Sequence, residues 1–248
     1  FIFVSCVFAY GVRHSESVTE DQKLAAGSLP IAIQKMESDN AIQQRAPSAR
    51  GCSVFVLRPA LFVGAGTSNY LLEALRGTPG GRGKLGLILA RRRNLVPFIL
   101  PWGKKNLESP VQFIHPGDVA RLITFILRKS EPESRRLTVL NVAARGALLA
   151  LSSCTDIAQT KMMRVPGQWV MRQLMLVLWK SGISAIPPET VDYMLGTPVL
   201  DVARLREFLG PYSEEVIRYT NADALAECFT SRLPERAESA AAASPGSP

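Results

Sequence analysis

The sequence predicts an α/β fold built on a parallel sheet. Three observations carry the prediction: strand-like apolar runs alternate with helical stretches, residues 53–57 (Ser-Val-Phe-Val-Leu) form a clear strand, and residues 116–129 form a strongly amphipathic helix. With 248 residues, 47% of them hydrophobic, the chain can bury a real core and is not disordered as a whole.

Residues 1–4 read as a buried strand, followed by a loop to Gly11. Residues 12–29 are polar, contain Gly and Ser, and have no clear period, so they form a loop. Pro30 suits the first turn of a helix that runs to about Arg45. The strand at 53–57 is closed by Arg58-Pro59, residues 69–76 are helical, and the Gly- and Pro-rich stretch 77–86 is a loop. A short helix at 87–93 precedes short strands at 96–100 and 111–114, separated by a polar turn at 103–106. The helix 116–129 has Pro at its start and apolar residues at Val119, Leu122, Ile123 and Ile126. Residues 137–142 are a further strand.

After Ala150 the character changes. Residues 165–183 gather Trp169, Val170, Leu174, Met175, Leu176, Val177, Leu178 and Trp179, interrupted by Arg172, Gln173 and Lys180. The run is too short and too interrupted for a membrane span. It reads as a core or lid helix, and its two tryptophans leave a membrane-surface helix open. Residues 200–209 are a helix closed by Gly210, and 234–248 are expected to be a disordered tail. No internal repeat is visible.

Cys6, Cys52, Cys154 and Cys228 are widely spaced, there is no Cys-x-x-Cys pair, and the chain has two histidines. A structural zinc site and a disulfide framework are excluded on that ground, no metal is expected, and the usage fits a reducing cytoplasm. The net charge of +8 is uneven: residues 1–150 hold 20 Lys/Arg against 10 Asp/Glu, and residues 151–248 hold 9 against 11. A basic N-terminal part suits an anionic ligand such as a dinucleotide. The Arg91-Arg92-Arg93 run lacks interleaved aromatics and reads as a solvated helix end, so no nucleic-acid partner is expected. Phe1 opens an apolar run with no basic segment before it, unlike a signal peptide. The chain is expected to begin in the middle of a domain.

Four segments in order carry a resemblance: Val4-Ser5-Cys6-Val7-Phe8-Ala9-Tyr10-Gly11, Leu57-Arg58-Pro59-Ala60-Leu61-Phe62-Val63-Gly64, Phe113-Ile114-His115-Pro116-Gly117-Asp118-Val119-Ala120 and Leu140-Asn141-Val142-Ala143. A weaker echo is Asp201 through Gly210. Together with the Lys35 helix, the chain resembles the extended short-chain dehydrogenase/reductase family, the NAD-dependent epimerases and dehydratases. The resemblance implies a partial Rossmann-like parallel sheet, its C-terminal half, over residues 1–150 as part of an NAD(P)-binding domain. Residues 151–233 would be a small, mostly helical substrate or lid region.

The resemblance also implies an oxidoreductase or isomerase chemistry: NAD or NADP as cofactor, a sugar nucleotide or similar hydroxyl or ketone compound as small-molecule substrate, and a homodimer. Lys35 would bind the nicotinamide ribose and lower the pKa of a neighbouring phenol. Ser5 or Cys6 would hydrogen-bond the reacting oxygen, with the one-residue choice between them open. Arg58-Pro59 would lie beside the nicotinamide, and Asn69 and Tyr10 would face substrate. A structural Cys6, a capping Asn69 and a turn residue at Tyr10 are the plain alternatives.

The departures are specific. The family's Tyr-x-x-x-Lys pairs a phenol with an ammonium on one helix face, and here the phenol position is Ile31, which exchanges no proton at any pH. Tyr10 and Tyr70 are candidate substitutes. Gly80-x-x-Gly83-x-x-Gly86 has the spacing of a phosphate loop but follows no strand, so it is a chance match; the phosphate-binding loop is expected to be missing. Impaired catalysis follows, with a catalytically silent ligand- or partner-binding relative, or a fragment without function, as the other readings.

Overall fold

The computed structural model describes residues 1–12, 14–49, 51–77, 96–129, 137–184 and 186–230. Its central sheet is parallel and runs in the order β1 (Ile2–Val4), β2 (Val54–Pro59), β7 (Leu137–Val142). Parallel neighbours need crossovers. The first passes through helix α1 (Pro30–Arg45), and the second includes the helix Pro116–Lys129. The expected α/β class with a parallel sheet is therefore what the chain forms.

β2 is buried along its whole length, as expected of a strand covered on both faces. It does not stop at Leu57. Arg58 and Pro59 continue the ladder in register with Asn141 and Val142, the proline standing last, where its missing N–H interrupts nothing further along the strand. The helix Pro116–Lys129 spans the expected residues and turns Val119, Leu122 and Ile126 inward. They pack with Leu57, Leu140 and Leu205 in the first of two large cores, and each fully buried side chain contributes about 2 kcal/mol.

The second core gathers Leu72, Leu75, Phe98, Leu100, Met171 and Leu225. Here the sequence reading needs correction. The expected single strand at 111–114 is two: β5 (Pro110–Val111) pairs antiparallel with β8 (Leu149–Ala150), and β6 (Phe113–Ile114) pairs parallel with β3 (Leu61–Phe62). Buried Gln112 sits at the crossing and exchanges two hydrogen bonds with the Leu200 backbone, at 3.2 and 2.8 Å. The expected polar turn at 103–106 is a short helix, Lys104–Leu107.

β4 (Phe98–Pro101) pairs parallel with β9 (Met162–Val165), so the C-terminal region contributes a strand as well as helices. Its helices are Leu151–Ala158, Gly167–Lys180, Val191–Gly196, Ala203–Leu209, Ser213–Val216 and Asn221–Thr230. The helix expected from residue 200 begins at Ala203, whose N–H is held by Asp201 Oδ1 at 2.7 Å. The expected helix 87–93, the Gly80-x-x-Gly83-x-x-Gly86 run and the tail 234–248 lie outside the described residues.

Gly11 closes the turn after β1 at φ +86°, and a Cβ there would lie 2.3 Å from the Ala25 carbonyl oxygen. That oxygen belongs to backbone already tied to Ala9 by the Ala25 N–H at 3.0 Å, so it cannot swing away. Gly11→Ala is expected to lower stability by about 3 kcal/mol or more, read as a drop in the urea midpoint at unchanged slope; a midpoint within error of wild type would refute the tight packing of this turn.

Candidate functional site

The carboxyl edge of the parallel sheet, where ligands bind in open α/β folds, is built here from β1 and α1. Lys35 donates from Nζ to the Val4 carbonyl oxygen at 2.7 Å, and its ammonium lies 5.2 Å from the centroid of the Phe3 ring. The ammonium thus satisfies the last carbonyl of β1 at the point where Ser5 and Cys6 begin. A crossover helix runs antiparallel to its strands, so Ile31, one turn earlier, lies about 6 Å further out along the axis. Its side chain is 53% exposed there.

What orients α1 is a buried ion pair. Asp39, four residues after Lys35 on the same helix face, takes Arg58 in a two-pronged contact, Nε to Oδ2 at 2.9 Å and Nη2 to Oδ1 at 3.0 Å. Both side chains are essentially inaccessible. Arg58 Nη1 donates to the Tyr10 hydroxyl at 2.8 Å and to the Glu20 carbonyl at 3.0 Å. Tyr10 donates onward to Asn141 Oδ1 at 2.7 Å, and the Asn141 N–H donates to the Glu20 carboxylate at 2.8 Å. Asn141 Nδ2 then ties in the Val18 and Asp201 carbonyls at 2.9 and 3.1 Å.

The network corrects two expectations. Arg58 cannot lie open beside a nicotinamide, because its guanidinium is 1% exposed and committed to Asp39, Tyr10 and Glu20. Tyr10 cannot face substrate or replace the missing base, because it is fully buried with its hydroxyl bonded on both sides. Burial pushes the Tyr10 phenol up, against the pull of Arg58, so it stays neutral. Pro59, next in the buried strand, acts through backbone pairing with Val142. Asn69 is a helix cap. Its side-chain oxygen accepts from the Leu71 and Leu72 N–H groups at 3.0 Å, and Nδ2 donates to the Phe62 carbonyl at 2.7 Å, which leaves little of the amide for substrate.

Lys35, Ser5 and Cys6 are brought together. Ser5 anchors its N–H to the Leu57 carbonyl at 2.7 Å, while its Oγ is buried without a hydrogen-bond partner among the described residues. Burial pushes the Cys6 thiol up; the Phe8 and Ala9 N–H groups and the Lys35 ammonium oppose this. A neutral thiol is a weak donor, so of the two the Ser5 hydroxyl is the stronger hydrogen-bonding group.

Two aromatic residues from other elements complete the corner. Tyr193, on the helix Val191–Gly196, accepts the Gly27 N–H at 3.0 Å and meets the Phe8 ring edge-on at 5.1 Å. It packs with Leu29 and Ala32 under the first turn of α1. Tyr70 lies 5.8 Å from Phe8, its hydroxyl 3.4 Å from Thr197 Oγ1, and burial pushes its phenol up, which makes it a poor base. Sequence reasoning missed Asp39 and Tyr193. A charged residue inside the apolar run of β2 is a signal that an acid must be buried opposite it; nothing local marks Tyr193.

Asp118 is fully buried, accepting the Arg218 and Tyr219 N–H groups at 3.0 and 3.2 Å and pairing with Arg121. His115 stacks on Tyr219 at 3.8 Å and places Nε2 3.1 Å from Glu227. Both fasten the C-terminal segment to the helix Pro116–Lys129. Among the described residues no group of three or more His, Cys, Asp or Glu side chains is arranged to hold a metal ion.

Residues 1–143 match the model of a family described as NAD dependent epimerase/dehydratase. No curated protein matches the chain in sequence. Among solved structures, RMD from Pseudomonas aeruginosa complexed with NADPH is similar at TM-score 0.52 and 18% identity, over 92% of this chain and 64% of that one. UDP-glucuronic acid 4-epimerase from Bacillus cereus in complex with NAD gives 0.54 at 11% identity, over 92% and 60%. The UDP-glucose 4-epimerase of Thermus thermophilus in complex with NAD gives 0.56 at 15%, over 92% and 62%. At these identities the likeness is one of fold. The chain spans about three fifths of the length of these structures.

Removing one member of the Arg58–Asp39 pair strands a buried charge. Asp39→Leu is expected to cost about 3–5 kcal/mol in urea unfolding, and the double variant Asp39→Leu/Arg58→Met distinctly less than the sum of the singles. Additive losses would mean that the two groups do not depend on each other.

Proposed function

The chain belongs to the NAD dependent epimerase/dehydratase family, and on that premise we propose that it forms the carboxyl-edge and substrate-side part of an NAD- or NADP-dependent site for a sugar nucleotide or a similar hydroxyl or ketone substrate. The observation that carries this reading is the Lys35 Nζ to Val4 O contact at the end of β1, one residue before Ser5, whose buried hydroxyl has no hydrogen-bond partner among the described residues. A fixed ammonium and a buried hydroxyl at that edge suit the nicotinamide-ribose end of a dinucleotide. The dinucleotide, when bound, supplies the hydride acceptor.

The protein's own part is polar positioning. Lys35 holds ribose hydroxyls and favours the anionic form of an oxygen near it. Ser5, or less effectively Cys6, hydrogen-bonds the substrate oxygen that changes oxidation state. The position from which a phenol would exchange that oxygen's proton is occupied by Ile31, which can do no acid–base work. Residues 1–150 serve the cofactor side and residues 151–233 the substrate side, with β4 and β5 contributing across that boundary. A homodimer through α1 and a cytoplasmic setting for the four free cysteines belong to the same reading.

A second reading, a catalytically silent relative that binds ligand without turning it over, draws support from a specific observation. Each tyrosine near the corner is already committed: Tyr10 to Arg58 and Asn141, Tyr193 to Gly27, Tyr70 to Thr197. On this reading Tyr10, bonded on both sides, offers no replacement for the phenol absent at Ile31.

The two readings separate in the full gene product. Ile31→Tyr is expected to raise NAD(P)H turnover with sugar nucleotides by about 10²–10⁴-fold, monitored at the reduced-nicotinamide absorbance. Wild-type turnover equal to that of the variant would show that another base is used. Calorimetric titration with NAD is expected to lose its heat in Lys35→Met; an unchanged titration would remove Lys35 from the cofactor site.

A further inference from the structure

Helix α1 carries Lys35, yet it has almost no apolar face with which to seat itself. Of its 16 residues only Ala32 and Asp39 are buried, and Met36 packs half-buried at the rim of the first core. A helix lying on a sheet is ordinarily oriented by a broad stripe of apolar side chains. In α1 that stripe is largely polar. At about 100° per residue Ala32, Lys35, Asp39 and Gln43 fall within about 80° of one another, and three of these four side chains are polar. Apolar packing therefore gives α1 little preference for one roll angle over its neighbours.

The roll is set at one carboxylate. Asp39 Oδ2 accepts from Arg58 Nε at 2.9 Å, and Oδ1 accepts from Arg58 Nη2 at 3.0 Å and from Gln43 Nε2 at 2.7 Å. Arg58 cannot follow a displaced helix. Its backbone is in register with Asn141 inside the β2–β7 ladder, and its Nη1 is held by the Tyr10 hydroxyl and the Glu20 carbonyl. A two-pronged guanidinium–carboxylate contact is directional as well as strong, so the strand dictates where the helix face points. Tyr193 packs on Leu29 and Ala32 at the start of α1, which fixes the approach of the helix more than its roll.

Lys35 stands one turn from Asp39 and depends on that angle. A side-chain end about 6 Å from the helix axis moves about 2 Å for a roll of about 20°. Such a shift takes the 2.7 Å contact of Lys35 Nζ with the Val4 carbonyl out of hydrogen-bond range.

We infer that Asp39 is a positioning residue of the Lys35 corner: paired with Arg58, it fixes the roll of α1 and so holds the Lys35 ammonium at the end of β1. Its importance for cofactor binding rests on the reading of that corner as a dinucleotide site. Asp39 itself meets no ligand, for its side chain is 0% exposed and its oxygens are already taken by Arg58 and Gln43.

Two measurements on the full gene product test the inference. Acetic anhydride labelling, read residue by residue by mass spectrometry, compares Lys35 with the exposed Lys104 and needs no ligand. The Lys35 to Lys104 labelling ratio is expected to rise about fivefold or more in Asp39→Asn. Calorimetric titration is expected to show NAD affinity about tenfold or more weaker in the same variant, with a urea melt to confirm that it folds. Asp39→Leu/Arg58→Met leaves no buried charge unpaired and is expected to regain stability without regaining NAD affinity or the protection of Lys35.

Wild-type labelling of Lys35 in folded Asp39→Asn, or in the double variant where the single one does not fold, would overturn the inference. So would NAD affinity in the double variant that recovers in step with stability, the mark of a merely structural pair. Lys35→Met keeps the two claims apart. If it binds NAD as wild type does, the dinucleotide reading fails and Lys35 labelling alone decides the role of Asp39. If it loses NAD while folded Asp39→Asn binds as wild type, the reading stands and the positioning role of Asp39 falls.

Discussion

Arg58 stands in the middle strand of the three-stranded sheet, 1% exposed, and a charge so placed is tolerable only when its donors are met. Asp39 meets two of them from α1, Tyr10 a third from the turn after β1, and the Glu20 carbonyl adds an acceptor from the loop that follows. Asn141, the register partner of Arg58 on β7, receives Tyr10 and passes the network to Val18 and Asp201. One buried cation thereby holds a helix, two strands and the loop around Val18 and Glu20 in fixed relation.

The candidate site inherits its geometry from that pair. Lys35 and Asp39 are one turn apart on α1, so locking Asp39 onto Arg58 sets the rotation that delivers Lys35 to the Val4 carbonyl. The same rotation carries Ile31 past the edge of the sheet into the open. Network and candidate site thus share a helix face: the polar groups around Arg58 are buried and paired, while the Ser5 hydroxyl is buried with no hydrogen-bond partner among the described residues. Tyr193, arriving from a distant helix, braces the first turn of α1 against Phe8 and Leu29.

Legibility followed the range of the forces involved. The helix Pro116–Lys129 was readable to the residue because its apolar period and its starting proline are local properties. So was α1, marked by Pro30. The run 110–114 was not, since its apolar character is that of one strand while its backbone partners lie in two different sheets. β9 was missed because Met-Met-Arg-Val has little strand character by itself; it becomes a strand by pairing with β4, far earlier in the chain. The motif order that put Lys35, Ser5 and Cys6 in one corner says nothing of what Arg58 and Tyr10 bond to, because their partners come from α1, the loop around Glu20 and β7.

By itself, the sequence determined the alternation of strands and helices, the family motifs with their order, and an isoleucine four residues before Lys35, a side chain that exchanges no proton. These are matters of residue type and spacing, and they hold however the chain folds. Tertiary structure decided which polar groups are paired, because a buried charge recruits partners by proximity, from Glu20 to Asn141, and not by sequence distance. It also decided that the apolar helix Gly167–Lys180 buries its methionines and leaves its tryptophans in water. Hydropathy counts apolar residues, but only packing chooses the side that faces the core.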